Sequence, residues 1–452
     1  MHVAGYLVAL VLLTFLFLAV AVWNRFPLVF YDTGAYMAEG LSGAFFVERS
    51  PVYSLLLPLT GAFASLWWVA AAQSLMTSFV IMELVRIEAP RLGLVGLIMI
   101  GVALTVLTGI GWYVGQIEPD CFTPLVALGS YLLLFRIPAL TVWRRWLVIV
   151  ITALAVASHP SHLGLIGGLL ICAAILCGFH SRLSGWPRPH LWSCLSALLL
   201  SLALVVTANY FYTKTFFVSR AGSVFLLARL MQDGIVQRLL AETCPARGSS
   251  QKPPYTLCAF PLPHNANAWL WGERSSFRAV GGFKRSDGEY GRIVRDSLAR
   301  YPLMHLKAAI YESVLQFVEF KTGDGIESQR SILVPGFNRS LPQQLPAYLA
   351  ARQQTEIILF KNINLVHVPV AVIALLGLLL LLHHAAVRGR WDQAALPATV
   401  LLALVGNAII CGTFSNPHDR YQSRLMWTPV LVLLLARARD ARALQPVPEQ
   451  ET

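Results

Sequence analysis

Four short stretches of the sequence gather the residue types that suit bond-making chemistry. Asp32 sits in Phe30-Tyr31-Asp32-Thr33-Gly34-Ala35-Tyr36. Flanking aromatic rings partly desolvate a carboxylate, which makes it a stronger base toward a hydroxyl. The same pattern also suits an Asp that caps a short helix. Glu118-Pro119-Asp120 places two carboxylates in one proline-restrained turn. Such a turn can hold a divalent cation such as magnesium or manganese, or simply start the next helix. His159 and His162 flank a helix break at Pro160 and offer imidazoles to a phosphate or a sugar hydroxyl. His418, Arg420 and Arg424 lie together near the last apolar run. Guanidinium groups grip phosphate oxygens at two points, on a substrate lipid or on an ordinary phospholipid headgroup. Arg49, after Glu48, is a further phosphate-binding candidate.

The elements that must carry these residues are apolar. Hydrophobic residues make up 56% of the chain, charged residues 13%, and the mean hydropathy is +0.61. A soluble domain carries roughly 25% charged residues, so bilayer hydrocarbon is the solvent that suits this mixture. Apolar runs fall near 5–23, 66–85, 93–110, 121–135, 146–158, 163–179, 191–211, 364–383, 394–413 and 425–436. The reading is an all-α polytopic membrane protein of about ten spans. Residues 1–211 form a first membrane domain with interfacial helices near 34–65, and 363–437 form a second. Between them, 212–362 is a mixed, mainly helical extracytoplasmic domain, and 438–452 is a cytoplasmic tail. The first run has no basic segment before it and no small-residue cleavage site after it, so it reads as a span, with a signal peptide as the alternative.

Charge sets the orientation. With the N-terminus inside, cytoplasmic turns hold Arg86, Arg91, Arg136, Arg144, Arg145, Arg182, Arg188, Arg388, Arg390, Arg437, Arg439 and Arg442. The opposite short loops hold only Arg25, Arg49, Arg420 and Arg424. Basic residues accumulate in cytoplasmic loops, so this places the termini inside and the large segment outside an inner (plasma) membrane. That segment carries 19 basic against 11 acidic residues, a net +8. The excess suits lipid phosphates or acidic glycans, or serves only solubility; no nucleic-acid partner is expected. Cys244 and Cys258 are its only cysteines, which suggests a disulfide in an oxidising compartment, two free thiols being the alternative. Apolar periodicity predicts a helix over 289–320, interrupted at Pro302.

Asp32, then Glu48-Arg49-Ser50-Pro51-Val52-Tyr53 leading into interfacial helices, then Glu118-x-Asp120, form an arrangement that resembles the GT-C superfamily of membrane glycosyltransferases. Protein O-mannosyltransferases and lipid A aminoarabinose transferases belong to it. The resemblance covers roughly residues 1–165; the family's soluble C-terminal domain has no counterpart, and the large loop lies before the last three spans instead. It implies a polyprenyl-phosphate sugar donor, a glycan, lipid or protein acceptor, Asp32 as general base, and inversion at the anomeric carbon. Arg49, Arg420, Arg424 or a metal held by Glu118 and Asp120 would meet the charge on the leaving lipid phosphate, beside the substrate-binding candidates His159, His162 and His418. A transporter or flippase for an anionic or lipid-linked substrate, and a non-catalytic assembly subunit, are the competing readings.

Overall fold

Proline punctuates the helices as the sequence predicts. Pro160 separates Val142–Ala157 from Pro160–Gly178, and Pro302 separates Glu289–Arg300 from Pro302–Val318, because proline lacks the donor that would continue the preceding helix. The computed structural model describes residues 3–179, 185–246, 250–285 and 288–440. Arg182, Arg442 and the tail beyond 440 lie outside the described residues.

Among the described residues every regular element is helical, with one isolated bridge and no strand. The first half comprises α1 (Val3–Phe17), α2 (Ala19–Asn24), α3 (Thr33–Ser42), α4 (Pro51–Leu59), α5 (Leu66–Glu88), α6 (Leu94–Leu107), α7 (Ile110–Val114), α8 (Thr123–Phe135), α9 (Val142–Ala157), α10 (Pro160–Gly178) and α11 (Leu191–Thr213). A single 3-10 turn, Pro119–Phe122, precedes α8. The inserted segment contributes α12 (Gly222–Gln232), α13 (Ile235–Thr243), α14 (Ala266–Trp271), α15 (Ser276–Ala279), α16 (Glu289–Arg300), α17 (Pro302–Val318), α18 (Arg330–Ser340), α19 (Leu345–Leu349) and α20 (Arg352–Thr355). The chain then forms α21 (Phe360–Val387), α22 (Trp391–Phe414), α23 (Asp419–Ser423) and α24 (Trp427–Asp440). Each of the ten apolar runs is helical. Five helices, α5, α10, α11, α21 and α22, are long and apolar enough to cross a membrane.

Two cores organise these helices. The main one joins helices from both ends of the chain around Leu13, Leu84, Phe122, Tyr131, Leu404 and Trp427. The second belongs to α12–α16 and packs around Trp269, Phe277, Tyr290 and Leu239, with the Cys244–Cys258 disulfide at its edge. The inserted segment therefore divides. Its part from α18 to α20 joins the main core, where Leu333, Phe337, Leu341 and Tyr348 are buried and α18 lies against α3.

The helix α17 runs beside α22, and the two backbones nearly touch. A Cβ added at Gly412 would come within 2.5 Å of the Glu312 carbonyl oxygen. Arg229, buried on α12, bridges the contact by donating to Gly412 O at 3.3 Å and pairing with Glu312 at 2.8 Å and Asp233 at 2.9 Å. The outward face of α17 is a stripe of exposed Leu303, Leu306, Ile310, Val314 and Val318. That is the outward chemistry of α21, where Leu365, Ile373, Leu376 and Leu380 are exposed, and the reverse of a helix facing water.

At the far end of the membrane helices, acids inside the bundle meet the arginines of the turns. Glu83 accepts from Arg86 at 2.9 Å and pairs with Arg144; Glu88 accepts from Arg136 at 2.7 Å.

The disulfide closes a loop of sequence separation 14, worth roughly 3 kcal/mol through the entropy removed from the unfolded chain. The double variant C244S/C258S is expected to speed protease cleavage within 222–300 and to leave α5, α10, α21 and α22 as protected as before. Peptide mapping by mass spectrometry reads both, and equal cleavage rates in variant and parent would refute this role.

Candidate active site

Backbone pairing brings the two acidic loops together. Leu28 N–H donates to Gly115 O at 2.9 Å, and Ile117 N–H returns a bond to Leu28 O at 2.8 Å. The Thr33 hydroxyl donates to Ile117 O at 3.0 Å and accepts from Phe30 N–H at 2.8 Å, so α3 begins beside residues 115–118. From the inserted segment, Gln353 locks the same loop by accepting from Val29 N–H at 3.1 Å and donating to Val29 O at 2.7 Å.

Asp32 stands at the N-cap position of α3, but its side chain does not cap the helix. Instead Arg49 Nη2 donates to Asp32 Oδ1 at 2.5 Å, while Arg49 Nη1 holds Glu48 at 2.6 Å. Phe46 and Tyr36 flank this guanidinium, with ring centroids 5.8 and 6.0 Å from Cζ. Arg49 is thereby committed to orienting the carboxylate and is not available as the phosphate ligand expected of it. The second oxygen of Asp32 has no hydrogen-bond partner among the described residues, and the side chain keeps 26% of its exposure.

The turn Glu118-Pro119-Asp120 faces the last loop. Arg424 Nη1 donates to Asp120 Oδ1, and Arg424 Nη2 reaches Asn407 Oδ1 at 3.2 Å. Asn407 in turn donates to Tyr421 O at 2.7 Å and to Gln422 Oε1 at 2.9 Å. Arg424 is fully buried, so it reads as the anchor of the turn, not as an open phosphate site. Arg420 is the freer cation. Its Nη1 lies 3.8 Å from both Glu118 Oε1 and Asp120 Oδ2 and makes no hydrogen bond, and its Cζ sits 4.1 Å from the Phe30 ring centroid. Glu118 Oε2 and Arg424 Nε are likewise buried without partners. Burial, then the Asp32 and Asp120 charges, push the Glu118 carboxyl well above the usual range. Among the described residues no three His, Cys, Asp or Glu side chains are grouped to hold a metal ion. With Asp120 engaged by Arg424, Glu118 and Asp120 do not form a metal site on their own.

The histidines part company. His162 Nδ1 faces the Ala155 carbonyl at 2.7 Å, which can only accept, so Nε2 accepts from the Thr123 hydroxyl at 2.7 Å. Both nitrogens are spent and the ring is buried, which makes His162 a structural tie between α8, α9 and α10. His159 caps α10 by accepting from Ser161 N–H at 3.2 Å and remains half-buried beside the cluster. Burial first, then the Arg424 charge, lowers it to about 4, so it is neutral there. His418 lies 3.5 Å from Asp324 and is exposed on its outer side.

Asp324 was not singled out by the sequence pattern, yet it accepts from Arg420 N–H at 3.2 Å and shapes the arginine turn. It sits between Gly323 and Gly325, whose φ angles of +114° and +75° favour glycine and whose added Cβ atoms would strike Phe360 and Phe30. Glu39, another acid of the first loop, has a structural place. It is fully buried, accepts from the Ser54 hydroxyl at 2.5 Å and from Phe46 N–H at 3.1 Å, and so ties α3 to α4 and to the Arg49 loop.

The cluster thus draws on Asp32, Glu118, Asp120, His159, Arg420 and Arg424, and its electrostatics are shared: the Asp32 charge acts on both Glu118 and Arg420. Its acidic and basic centre is closed, because Glu118, Asp120 and Arg424 each retain 2% exposure or less, while Asp32 keeps partial exposure. No protein family, curated protein or solved structure matches the chain.

Burial raises the Glu39 carboxyl from 4.5 to about 7, partly offset by its Ser54 and Phe46 hydrogen bonds. A carboxyl whose folded value is raised contributes most at pH below the unfolded value, and that contribution is lost as pH rises through about 7. The drop from pH 5 to pH 8 is roughly 3 kcal/mol. Melting curves of the detergent-purified protein are expected to fall across this window, and E39Q to flatten the fall. A variant whose melting temperature declines in parallel with the parent would assign the slope to another group.

Proposed function

We propose that this protein is a multi-pass membrane glycosyltransferase of the GT-C type, with about ten spans, both termini cytoplasmic and the inserted segment on the opposite side. In this reading it moves a sugar from a polyprenyl phosphate to an acceptor hydroxyl. The observation that carries it is the meeting of a partly exposed carboxylate, Asp32, with an unpartnered guanidinium nitrogen on Arg420, at one end of the apolar helices. A polyprenyl tail stays in the bilayer, so its phosphate reaches only a site at that level.

The chemistry follows from those groups. Arg49 holds Oδ1 of Asp32 and leaves Oδ2 to take the acceptor's proton. The acceptor oxygen bonds to the anomeric carbon as the bond from that carbon to the phosphate oxygen breaks. The electron pair leaves with the lipid phosphate, and the anomeric centre inverts. Arg420 Nη1 is the donor left free for the growing charge. Asp120 keeps Arg424 in place. A magnesium or manganese ion would neutralise the same phosphate, and no step here requires it.

Membranes containing the protein, supplied with sugar-loaded polyprenyl phosphates, are expected to release free polyprenyl phosphate. D32N should lower that rate at least about a hundredfold while leaving yield and melting temperature unchanged. R420Q should lower it by a similar factor through the lost donor. Full activity in D32N would exclude this mechanism. Movement of the intact lipid between leaflets, without bond cleavage, would favour the transporter reading.

A further inference from the structure

A cavity of about 300 Å³ opens between the ends of α21, α22 and α24, on the opposite side of the membrane helices from Asp32 and Arg420. The α22 helix separates the two places by its length of 24 residues, about 36 Å. The floor of the cavity is apolar, with Leu381, Leu396 and Val432 among its walls. Its rim is basic: Arg388 and Arg390 stand on the turn from α21 to α22, and Arg439 on α24. Neither Arg388 nor Arg390 makes an ion pair among the described residues. The one acid in the lining, Glu88, is already satisfied by Arg136 at 2.7 Å and by the Tyr131 hydroxyl. Nothing in the lining therefore neutralises Arg388 or Arg390.

From this geometry we infer a binding site for the phosphate headgroup of an anionic phospholipid. Three features select that class. Two guanidinium groups without ion-pair partners favour a phosphate diester with net negative charge over a zwitterion. The volume is at the small end of ligand sites, enough for a headgroup and glycerol, while the acyl chains stay outside. On α21 the exposed Leu380 and Val387 flank the cavity-lining Leu381 and Arg388, so those chains continue along an apolar surface. A helix of about 36 Å crossing a hydrocarbon core of about 30 Å also puts its basic end at headgroup depth. A soluble phosphate would match the arginines but gain nothing from the apolar floor.

The test uses the full-length protein in nanodiscs of phosphatidylcholine doped with phosphatidylglycerol. Native mass spectrometry counts the lipids retained after release into detergent. The parent is expected to retain phosphatidylglycerol in preference to phosphatidylcholine. The double variant R388Q/R390Q should reduce that retention about 25-fold, at about fivefold per arginine. R388K/R390K should keep most of it, and melting temperatures confirm that both variants are folded. Equal retention of the two lipids by the parent, or undiminished retention by R388Q/R390Q, would overturn the site. Displacement of the lipid by inorganic phosphate alone would overturn the lipid assignment in favour of a free anion.

Discussion

The ion pair between Arg424 and Asp120 fastens the two halves of the chain together. Asp120 belongs to the turn that starts α8, and Arg424 to the turn between α22 and α24, so the pair fixes where the end of one bundle meets the other. Both side chains are buried, and neither charge has water as an alternative partner. Removing one partner from such a pair costs roughly 3–5 kcal/mol, because the other is left uncompensated. Asn407 of α22 extends the constraint by donating to Tyr421 O and Gln422 Oε1, and Gln422 of α23 donates back to Leu404 O of α22. Arg420, one helical turn earlier, takes its position over Phe30 as a result.

The inserted segment is part of that assembly. Gln316 on α17 exchanges two hydrogen bonds with the His418 backbone, Lys321 N–H donates to Asp419 at 2.7 Å, and Asp324 accepts from Arg420 N–H. Three successive residues of the arginine turn are thus fixed by a segment that the polarity of the chain assigns to a separate domain. The satellite core of α12–α16 reaches the turn through α17 and the Arg229 bridge.

Much of this was legible in the sequence, and the rest was not, for identifiable reasons. Apolar run lengths and prolines set the helices, and Pro160 and Pro302 fall at the expected breaks. The clustering of Asp32, Glu118, Asp120 and Arg420 followed from placing their loops at the same end of the helices. What each group does could not be read that way. His162 and Arg49 have the residue types of ligands, and only partner geometry shows that Ala155, Thr123, Asp32 and Glu48 already occupy them. Asp324 gave a local hint, an acid between two glycines, but its partner lies 96 residues away. The burial of Glu39 depends on the packing of α3 against α4, which no periodicity in ten residues reveals.

The separation of 304 residues between Asp120 and Arg424 has a consequence for how the chain is made. On a ribosome adding about 5–20 residues per second, roughly 15 to 60 s pass between synthesis of the acid and of its counter-charge. During that interval Asp120 lacks the two arginines that it faces in the finished fold, and a bare carboxylate is excluded from hydrocarbon. The nascent α8 must therefore wait at the wet boundary of the bilayer, or carry its protons with it, until the last two helices arrive to seal it.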